Sequence, residues 1–197
     1  MPRSRSILLV LLASVLLGRG LQAQSAQAIS LQVSGLYNGL FGNVFGGLHD
    51  GAGAEAQIRY TPGALSFGAG FQYTEHGLSN FMENAQLYGA FLEPRYRIHT
   101  GSNVIAPYLS TRFAILKMGF TGNDLSVSSS FIQLNGGGGL LYRMGPRINL
   151  DVGATYGYDR LGAGSFESKQ SGTLSEFPAR SGSNVVFRLG FAVGLGG

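Results

Sequence analysis

The stretch Val185-Val186-Phe187-Arg188-Leu189-Gly190-Phe191-Ala192-Val193-Gly194-Leu195 decides the fold. Its odd-numbered positions are all large and apolar, whereas arginine, glycine and alanine occupy most of the even-numbered ones. Alternate side chains of a β-strand point to opposite faces of the sheet. The stretch therefore predicts a strand with one apolar face and one face of small or polar residues.

Seven further segments show the same alternation, so the sequence predicts an all-β fold. The specific expectation is an eight-stranded antiparallel up-and-down transmembrane β-barrel whose apolar outer face meets lipid. Segments of about ten residues, tilted by about 45°, match the hydrocarbon thickness of a bilayer. The seven segments are Ile29–Phe41, Ala52–Tyr60, Leu65–Tyr73, Gln86–Ile98, Ile105–Ile115, Ile132–Arg143 and Ile148–Asp159.

The connections between these segments alternate in length. Bacterial barrels have short periplasmic turns and longer extracellular loops. An even number of strands then places both mature termini on the periplasmic side. The predicted short connections are Thr61–Gly63, His99–Asn103 and Met144–Arg147, and the long ones are Gly42–Gly51, Glu75–Glu83, Lys117–Ser129 and Leu161–Ser183.

Two features depart from regular strands. Pro94 and Pro107 lie inside predicted strands, where proline removes a ladder hydrogen bond, so a bulge or an early end of pairing is expected there. Asn38-Gly39 is a hairpin signal inside the first strand and leaves the upper end of that strand open.

The first residues have the character of a secretory signal. Arg3 and Arg5 precede the apolar stretch Ile7–Leu17, which is too short for a membrane helix, and small residues follow it. We therefore predict a signal peptide over residues 1–28, cleaved after Ala23 or Ala28, and an exported barrel domain over residues 29–197. An uncleaved anchor is the alternative.

The composition excludes several classes of protein. Loss of the signal peptide leaves 11 basic and 10 acidic residues, so the chain has no basic excess for binding nucleic acid. Only 12% of residues are charged, against about 25% in an ordinary soluble domain. There are no cysteines, which excludes disulfides and thiolate ligands, and the three histidines form no ligand pattern. No metal and no cofactor is expected.

The polar face of the strands carries the candidate site. Barrels of eight strands are filled by side chains, so inward charges of both signs predict a plug of ion pairs and hydrogen bonds. A narrow pore is the alternative, since arginines outnumber the acids. The predicted lumen network consists of Glu55, Arg59, Glu93, Arg95, Arg97, Arg112, Arg143, Asp151, Asp159 and Arg188.

Aromatic residues recur at two depths of the outward face. Tyrosine rings favour the boundary between membrane and water, so this recurrence predicts an aromatic girdle at each boundary. Tyr60, Tyr96 and Tyr142 each precede a short turn and form the predicted periplasmic girdle. Phe41, Tyr73, Tyr88 and Tyr158 form the predicted upper girdle.

The chain resembles the small outer-membrane barrels of the OmpA, OmpX and opacity-protein type. The resemblance rests on the strand count, on residues 91–97 (FLEPRYR), on Ala106-Pro107-Tyr108 and on the C-terminal strand. It implies residence in the outer membrane, contact with membrane lipid and lipopolysaccharide, and recognition of strand Val185–Leu195 by the barrel-assembly machinery. Such barrels commonly end in an aromatic residue, a role that Phe191 would take here.

Two active roles are open for the long connections. Leu161–Ser183, rich in serine and glycine, is a candidate site for an extracellular ligand. His76, Ser79 and Glu83 are weak candidates for a hydrolase triad. Lipid A deacylases are barrels with a similar cluster, although their histidine and serine are one residue apart and here two residues intervene.

The sequence therefore favours a non-enzymatic outer-membrane barrel with an envelope-structural or surface-interaction role. The alternatives are a lipid A-modifying hydrolase, a narrow pore and a soluble, lipocalin-like periplasmic barrel. The last would place the apolar face inside and would need a charged, lysine-rich surface, but the chain has only Lys117 and Lys169.

Overall fold

The computed structural model describes residues 28–42, 47–79, 84–121, 125–168 and 174–195. The predicted signal peptide lies outside this range except for Ala28, whose carbonyl oxygen accepts a hydrogen bond from the Thr61 amide at 2.7 Å. Within the described residues, no helix is long and apolar enough to cross a membrane.

Ten strands account for most of the described residues. They are β1 (Ile29–Phe41), β2 (Leu48–Tyr60), β3 (Leu65–Leu78), β4 (Asn84–Arg97), β5 (Ile105–Thr121), β6 (Leu125–Arg143), β7 (Ile148–Leu161), β8 (Gly164–Ser168), β9 (Leu174–Phe177) and β10 (Arg180–Leu195).

Eight of these strands close into a barrel, which confirms the predicted fold class. Each of β1 to β6 pairs antiparallel with the next strand, β7 pairs with β10, and β10 pairs with β1. The ladder from Ile29↔Leu195 to Phe41↔Ser183 joins the first and last strands and removes the sheet edge. Strands β8 and β9 pair antiparallel with each other, and β8 also pairs with the first residues of β6, Leu125 to Ser128.

The two ends of the barrel differ in their connections. The short-turn end holds Ile29, Leu195 and the predicted short turns, which the structure places at residues 61–64, 98–104 and 144–147. At the opposite, long-connection end, the predicted loop ranges were too long. Strands β2, β3, β5, β6, β7 and β10 extend into them, and β8 and β9 lie inside the last one. The error arises because these strand ends are rich in small residues and show weak alternation.

The predicted inward and outward faces are confirmed. Apolar residues of alternate parity are exposed on the outside, and the polar residues between them are buried in the lumen, as for exposed Leu189 beside buried Arg188. A soluble, lipocalin-like barrel needs the reverse arrangement, so that alternative is wrong.

The exposed apolar surface forms a belt of limited height. On β7 it runs from Ile148 to Tyr158, which at about 3.3 Å per residue and a tilt of about 40° gives about 25 Å along the membrane normal. The next outward positions are polar, as shown by Arg160 on β7, Lys117 on β5 and Ser183 on β10. The belt thus has the height of a hydrocarbon layer.

The two irregular features resolve differently from expectation. Pairing between β4 and β5 lapses after Leu92↔Phe113 and resumes at Arg95↔Ser110 in the same register, so Pro94 interrupts the ladder without a bulge and without ending it. Proline has no amide hydrogen to donate across this gap. Pro107 lies near the strand end, where its carbonyl oxygen still accepts from the Ile98 amide at 2.8 Å. Asn38-Gly39 forms no turn, because β1 remains paired with β10 through both residues and with β2 as far as Asn38.

Candidate functional site in the barrel lumen

Arg188 on β10 is the centre of a buried ion-pair network. Both of its terminal nitrogens face the Glu93 carboxylate, with Nη2–Oε1 and Nη1–Oε2 distances of 3.0 and 3.1 Å. Its Nη1 lies 3.5 Å from Glu55 Oε1, and its Nε lies 3.6 Å from Asp151 Oδ2. One guanidinium thereby connects acids of β2, β4 and β7.

Three further arginines complete the pairing of these acids. Arg59 Nη2 lies 3.0 Å from Glu93 Oε2, and Arg95 connects Glu93 (3.2 Å) with Asp151 (2.7 Å). Arg112 Nη1 lies 2.6 Å from Glu55 Oε2. All of these side chains are almost fully buried. Charges in such a place are tolerated because each one has a partner of opposite sign.

Tyr108 is a member of the network that the sequence prediction left out, although its inward parity was visible. Its hydroxyl donates to Asp151 Oδ1 at 2.6 Å and accepts from Arg188 Nη2 at 2.9 Å. Its ring lies 4.4 Å below the Arg95 guanidinium carbon. Glycine makes room for it, since a Cβ at Gly153 would come within 2.6 Å of the hydroxyl oxygen.

The resulting cluster, called here the plug, consists of Glu55, Arg59, Glu93, Arg95, Tyr108, Arg112, Asp151 and Arg188. It joins seven of the ten residues predicted for the lumen network and contains four guanidinium groups against three carboxylates. Its members come from β2, β4, β5, β7 and β10, so the plug spans the interior from wall to wall.

The remaining predicted lumen residues lie elsewhere. Arg97 and Arg143 are at the short-turn end, where Arg97 Nη2 donates to the Gly63 carbonyl at 2.6 Å and Arg143 Nε donates to the Gly145 carbonyl at 3.2 Å. Asp159 lies toward the long-connection end and accepts a hydrogen bond from Asn184 Nδ2 at 2.6 Å.

An apolar layer fills the lumen on the long-connection side of the plug, a feature that the sequence prediction missed. Adjacent strands contribute its members at neighbouring register positions, as in Gly89↔Leu116↔Phe131↔Leu161. The signal was present in the sequence, because in these strand segments the inward positions are apolar as well as the outward ones. We call the layer the apolar cap; its buried members are Leu87, Phe91, Ala114, Leu116, Met118, Phe131 and Leu161.

The candidate catalytic residues do not form a triad in the described part of the chain. His76 is buried, with its Nε2 3.0 Å from Thr74 Oγ1 and its Nδ1 3.0 Å from the His49 carbonyl oxygen. Ser79 instead lies beside His49, with an Oγ–Nε2 distance of 3.2 Å. Glu83 falls outside the described residues.

The seven predicted girdle residues all lie on the outer surface. Tyr60, Tyr96 and Tyr142 are about half exposed at the short-turn end, and Phe41, Tyr88 and Tyr158 are exposed toward the other end, with Tyr73 less so. Over the described ranges, no group of three histidine, cysteine, aspartate or glutamate residues is placed to hold a metal ion.

Comparisons with known proteins agree with this architecture. No family model and no curated protein sequence matches the chain. Neisserial surface protein A (NspA) matches with a TM-score of 0.59 at 19% identity, over 85% of this chain and 97% of that one. OprG from Pseudomonas aeruginosa matches with a TM-score of 0.57 at 10% identity, over 88% and 98%.

A third solved structure is Ail of Yersinia pestis in complex with the heparin analogue sucrose octasulfate. It matches with a TM-score of 0.52 at 17% identity, over 84% of this chain and 96% of that one. At such identities the likeness is one of fold. The fold is that of the small eight-stranded outer-membrane β-barrels, as the resemblance to the OmpA, OmpX and opacity-protein type predicted.

Proposed function

We propose that this chain is a non-enzymatic outer-membrane protein with an envelope-structural or surface-interaction role and a lumen closed by the plug. The apolar belt supports a place in a membrane, because an exposed apolar surface of this extent is not stable in water. The fold of the similar structures supports the outer membrane as the location of this protein. Periplasmic termini, a cleaved signal peptide and assembly through Val185–Leu195 complete the proposal.

The plug is the observation that supports a closed lumen. An ion must displace the Arg188–Glu93 pair to pass, because that pair connects strands on opposite walls of the barrel. Eight strands leave little interior volume beyond that of the side chains themselves. These features favour a structural interior over a narrow pore.

Planar-bilayer recording tests this part of the proposal. The purified protein should give no stable single-channel steps. A variant with Arg188→Ser and Glu93→Ser should conduct if it inserts equally well, because both bulky side chains of the central pair are then gone. Reproducible single-channel steps from the unmodified protein would contradict a closed lumen and favour the narrow pore.

Basic side chains at the long-connection end support contact with anionic groups outside the membrane. Lys117 and Arg160 face outward one position beyond the apolar belt, and Arg180 is exposed near them. Lipopolysaccharide phosphates and sulfated glycans offer the same chemistry to these cations. The complex of Ail with sucrose octasulfate is a precedent from a protein of the same fold.

A binding experiment with two arms distinguishes the two sources. A Lys117→Ala, Arg160→Ala variant should lose retention of lipopolysaccharide during purification if the phosphates are the ligand. It should lose binding of sucrose octasulfate if a soluble glycan is the ligand. A Lys117→Arg, Arg160→Lys variant keeps the charge and should keep either activity. Unchanged binding of both ligands would remove this role.

The absence of catalysis is part of the proposal and needs its own test. His76 and Ser79 are not paired with each other, because Ser79 lies beside His49, and no carboxylate of the described residues is hydrogen-bonded to either imidazole as the acid of a triad. We expect His76→Ala and Ser79→Ala variants to leave lipid A acylation as it is in cells expressing the unmodified protein. A loss of deacylation in either variant would restore the hydrolase alternative.

A further inference from the structure

Asp159 differs from the other buried acids of the lumen. Glu55, Glu93 and Asp151 each lie within 4.0 Å of at least one arginine nitrogen. Asp159 is equally buried, with no exposed surface, yet no lysine, arginine or histidine of the described residues is within that distance. An ionised carboxylate without a counter-charge is costly in such a place and marks a candidate functional site.

The groups around Asp159 are neutral and rich in oxygen. Asn184 Nδ2 donates to Asp159 Oδ1 at 2.6 Å, Gln133 is the neighbour of Asp159 in the β6–β7 register, and Asp159 Oδ2 has no hydrogen-bonded partner. Asn135 and Asn184 exchange hydrogen bonds of 2.6 and 3.2 Å, and Asn135 also donates to Thr155 Oγ1 at 3.3 Å. We call this group of five residues the Asp159 cluster.

We propose that the Asp159 cluster binds a monovalent alkali cation, sodium or potassium. Hard cations prefer carboxylate and carboxamide oxygens, and both kinds are present here. A single carboxylate balances one positive charge, which favours a monovalent over a divalent ion in this setting. The Asp159 Oδ2 carboxylate oxygen and the Gln133 Oε1 carboxamide oxygen have no hydrogen-bonded partner, and the two residues are neighbours in the β6–β7 register, so both oxygens are available to a cation.

The location favours retention of the ion. The cluster lies next to the apolar cap, since Phe131 and Leu161 are the next inward residues beyond Gln133 and Asp159 on β6 and β7. Attraction between opposite charges is stronger in such apolar surroundings than in water. The Asn184 side chain on β10 also holds the Asp159 carboxylate on β7 in place through its hydrogen bond to Oδ1.

Thermal unfolding of the purified full-length barrel in detergent tests the proposal. The midpoint should be higher in sodium or potassium chloride than in N-methylglucamine chloride at the same ionic strength, because the organic cation is too large for the lumen. Asp159→Asn, which keeps the side-chain shape, should show no such difference. Asp50→Asn, which alters an exposed aspartate, should keep it.

Sodium-23 relaxation of the unmodified protein is a direct second measurement and does not depend on the folding of a variant. Enhanced relaxation that is reversed by excess potassium supports the site. Equal midpoints in all three salts together with unaltered relaxation would overturn it. A salt difference that persists in Asp159→Asn would also overturn it, because the ion would act elsewhere.

Discussion

Arg188 and Glu93 form an ion pair across the full width of the barrel. Their strands, β10 and β4, are four positions apart in either direction around the closed eight-stranded ring, and their side chains meet at 3.0 Å in the centre. The pair connects opposite walls through the lumen, whereas the backbone ladders connect only neighbouring strands. It should therefore stabilise the closed barrel beyond what strand pairing provides.

Removal of Arg188 should be strongly destabilising. Arg188→Met keeps much of the side-chain volume but leaves Glu93 and its neighbouring acids with fewer cations, so the free energy of unfolding should fall by about 3–5 kcal/mol. Urea unfolding in detergent, followed by circular dichroism, measures this change. Arg160→Met, at an exposed position, is the matched control and should change stability by less than about 0.5 kcal/mol. If Arg188→Met lowered the free energy of unfolding no more than Arg160→Met does, the plug would contribute no stability.

The Tyr108 hydroxyl should contribute through its two hydrogen bonds. Tyr108→Phe removes the donor to Asp151 and the acceptor for Arg188, and should cost about 1–3 kcal/mol in the same urea experiment. Tyr142→Phe changes an exposed girdle residue and should have a much smaller effect. A loss of stability in Tyr142→Phe as large as that in Tyr108→Phe would contradict the assignment.

Gly153 should tolerate no side chain. A Cβ there would lie 2.6 Å from the Tyr108 hydroxyl oxygen and 3.1 Å from Arg188 Nη2, so Gly153→Ala should destabilise the barrel by about 1–3 kcal/mol through overpacking. Gly145 lies in a short turn with no atom within 4 Å of an added Cβ. Gly145→Ala should be close to neutral, and a cost similar to that of Gly153→Ala would show that the crowding around Tyr108 is not the cause.

Much of the barrel could be predicted from the sequence because a period of two fixes which side chains share a face. Leu189 outside and Arg188 inside follow from their parity alone. The partners inside the lumen could not be predicted, since the meeting of Arg188 with Glu93 depends on the closure and stagger of the whole sheet. Asp159 illustrates the same limit, because its parity gave its burial but not its neutral surroundings.

The long-connection end was the least predictable part. Strand β6 begins at Leu125, but the run Ser128-Ser129-Ser130 interrupts its apolar alternation, and the short strands β8 and β9 carry little periodic signal. Their pairing depends on neighbouring strands that are distant in sequence. The apolar cap was missed for a related reason, since Leu116 and Phe131 are apolar residues on the parity assigned to polar groups.

An outward charge in the belt should be costly if the belt faces lipid. Leu189 is exposed near the middle of the β10 belt, and Leu189→Arg should reduce stability in lipid vesicles by about 2–4 kcal/mol. Ser183→Arg, an outward change on the same strand but beyond the belt, is the control and should be tolerated. Refolding into vesicles, followed by urea titration, compares the two. Equal tolerance would mean that Leu189 faces water.

The proposed orientation can be tested with single cysteines because the chain has none of its own. With periplasmic termini, Ser79→Cys at the long-connection end should react with a membrane-impermeant maleimide on intact cells. Gly145→Cys in a short turn should react only after the cells are lysed. The reverse labelling pattern would mean that the barrel has the opposite orientation in the membrane.

The most direct test of the central claim is electrophoresis of the isolated outer-membrane fraction, with and without boiling. A closed barrel resists detergent until it is heated, so the protein should be found in this fraction and its band should change mobility on boiling. A band in the soluble periplasmic fraction that does not shift on heating would contradict the account.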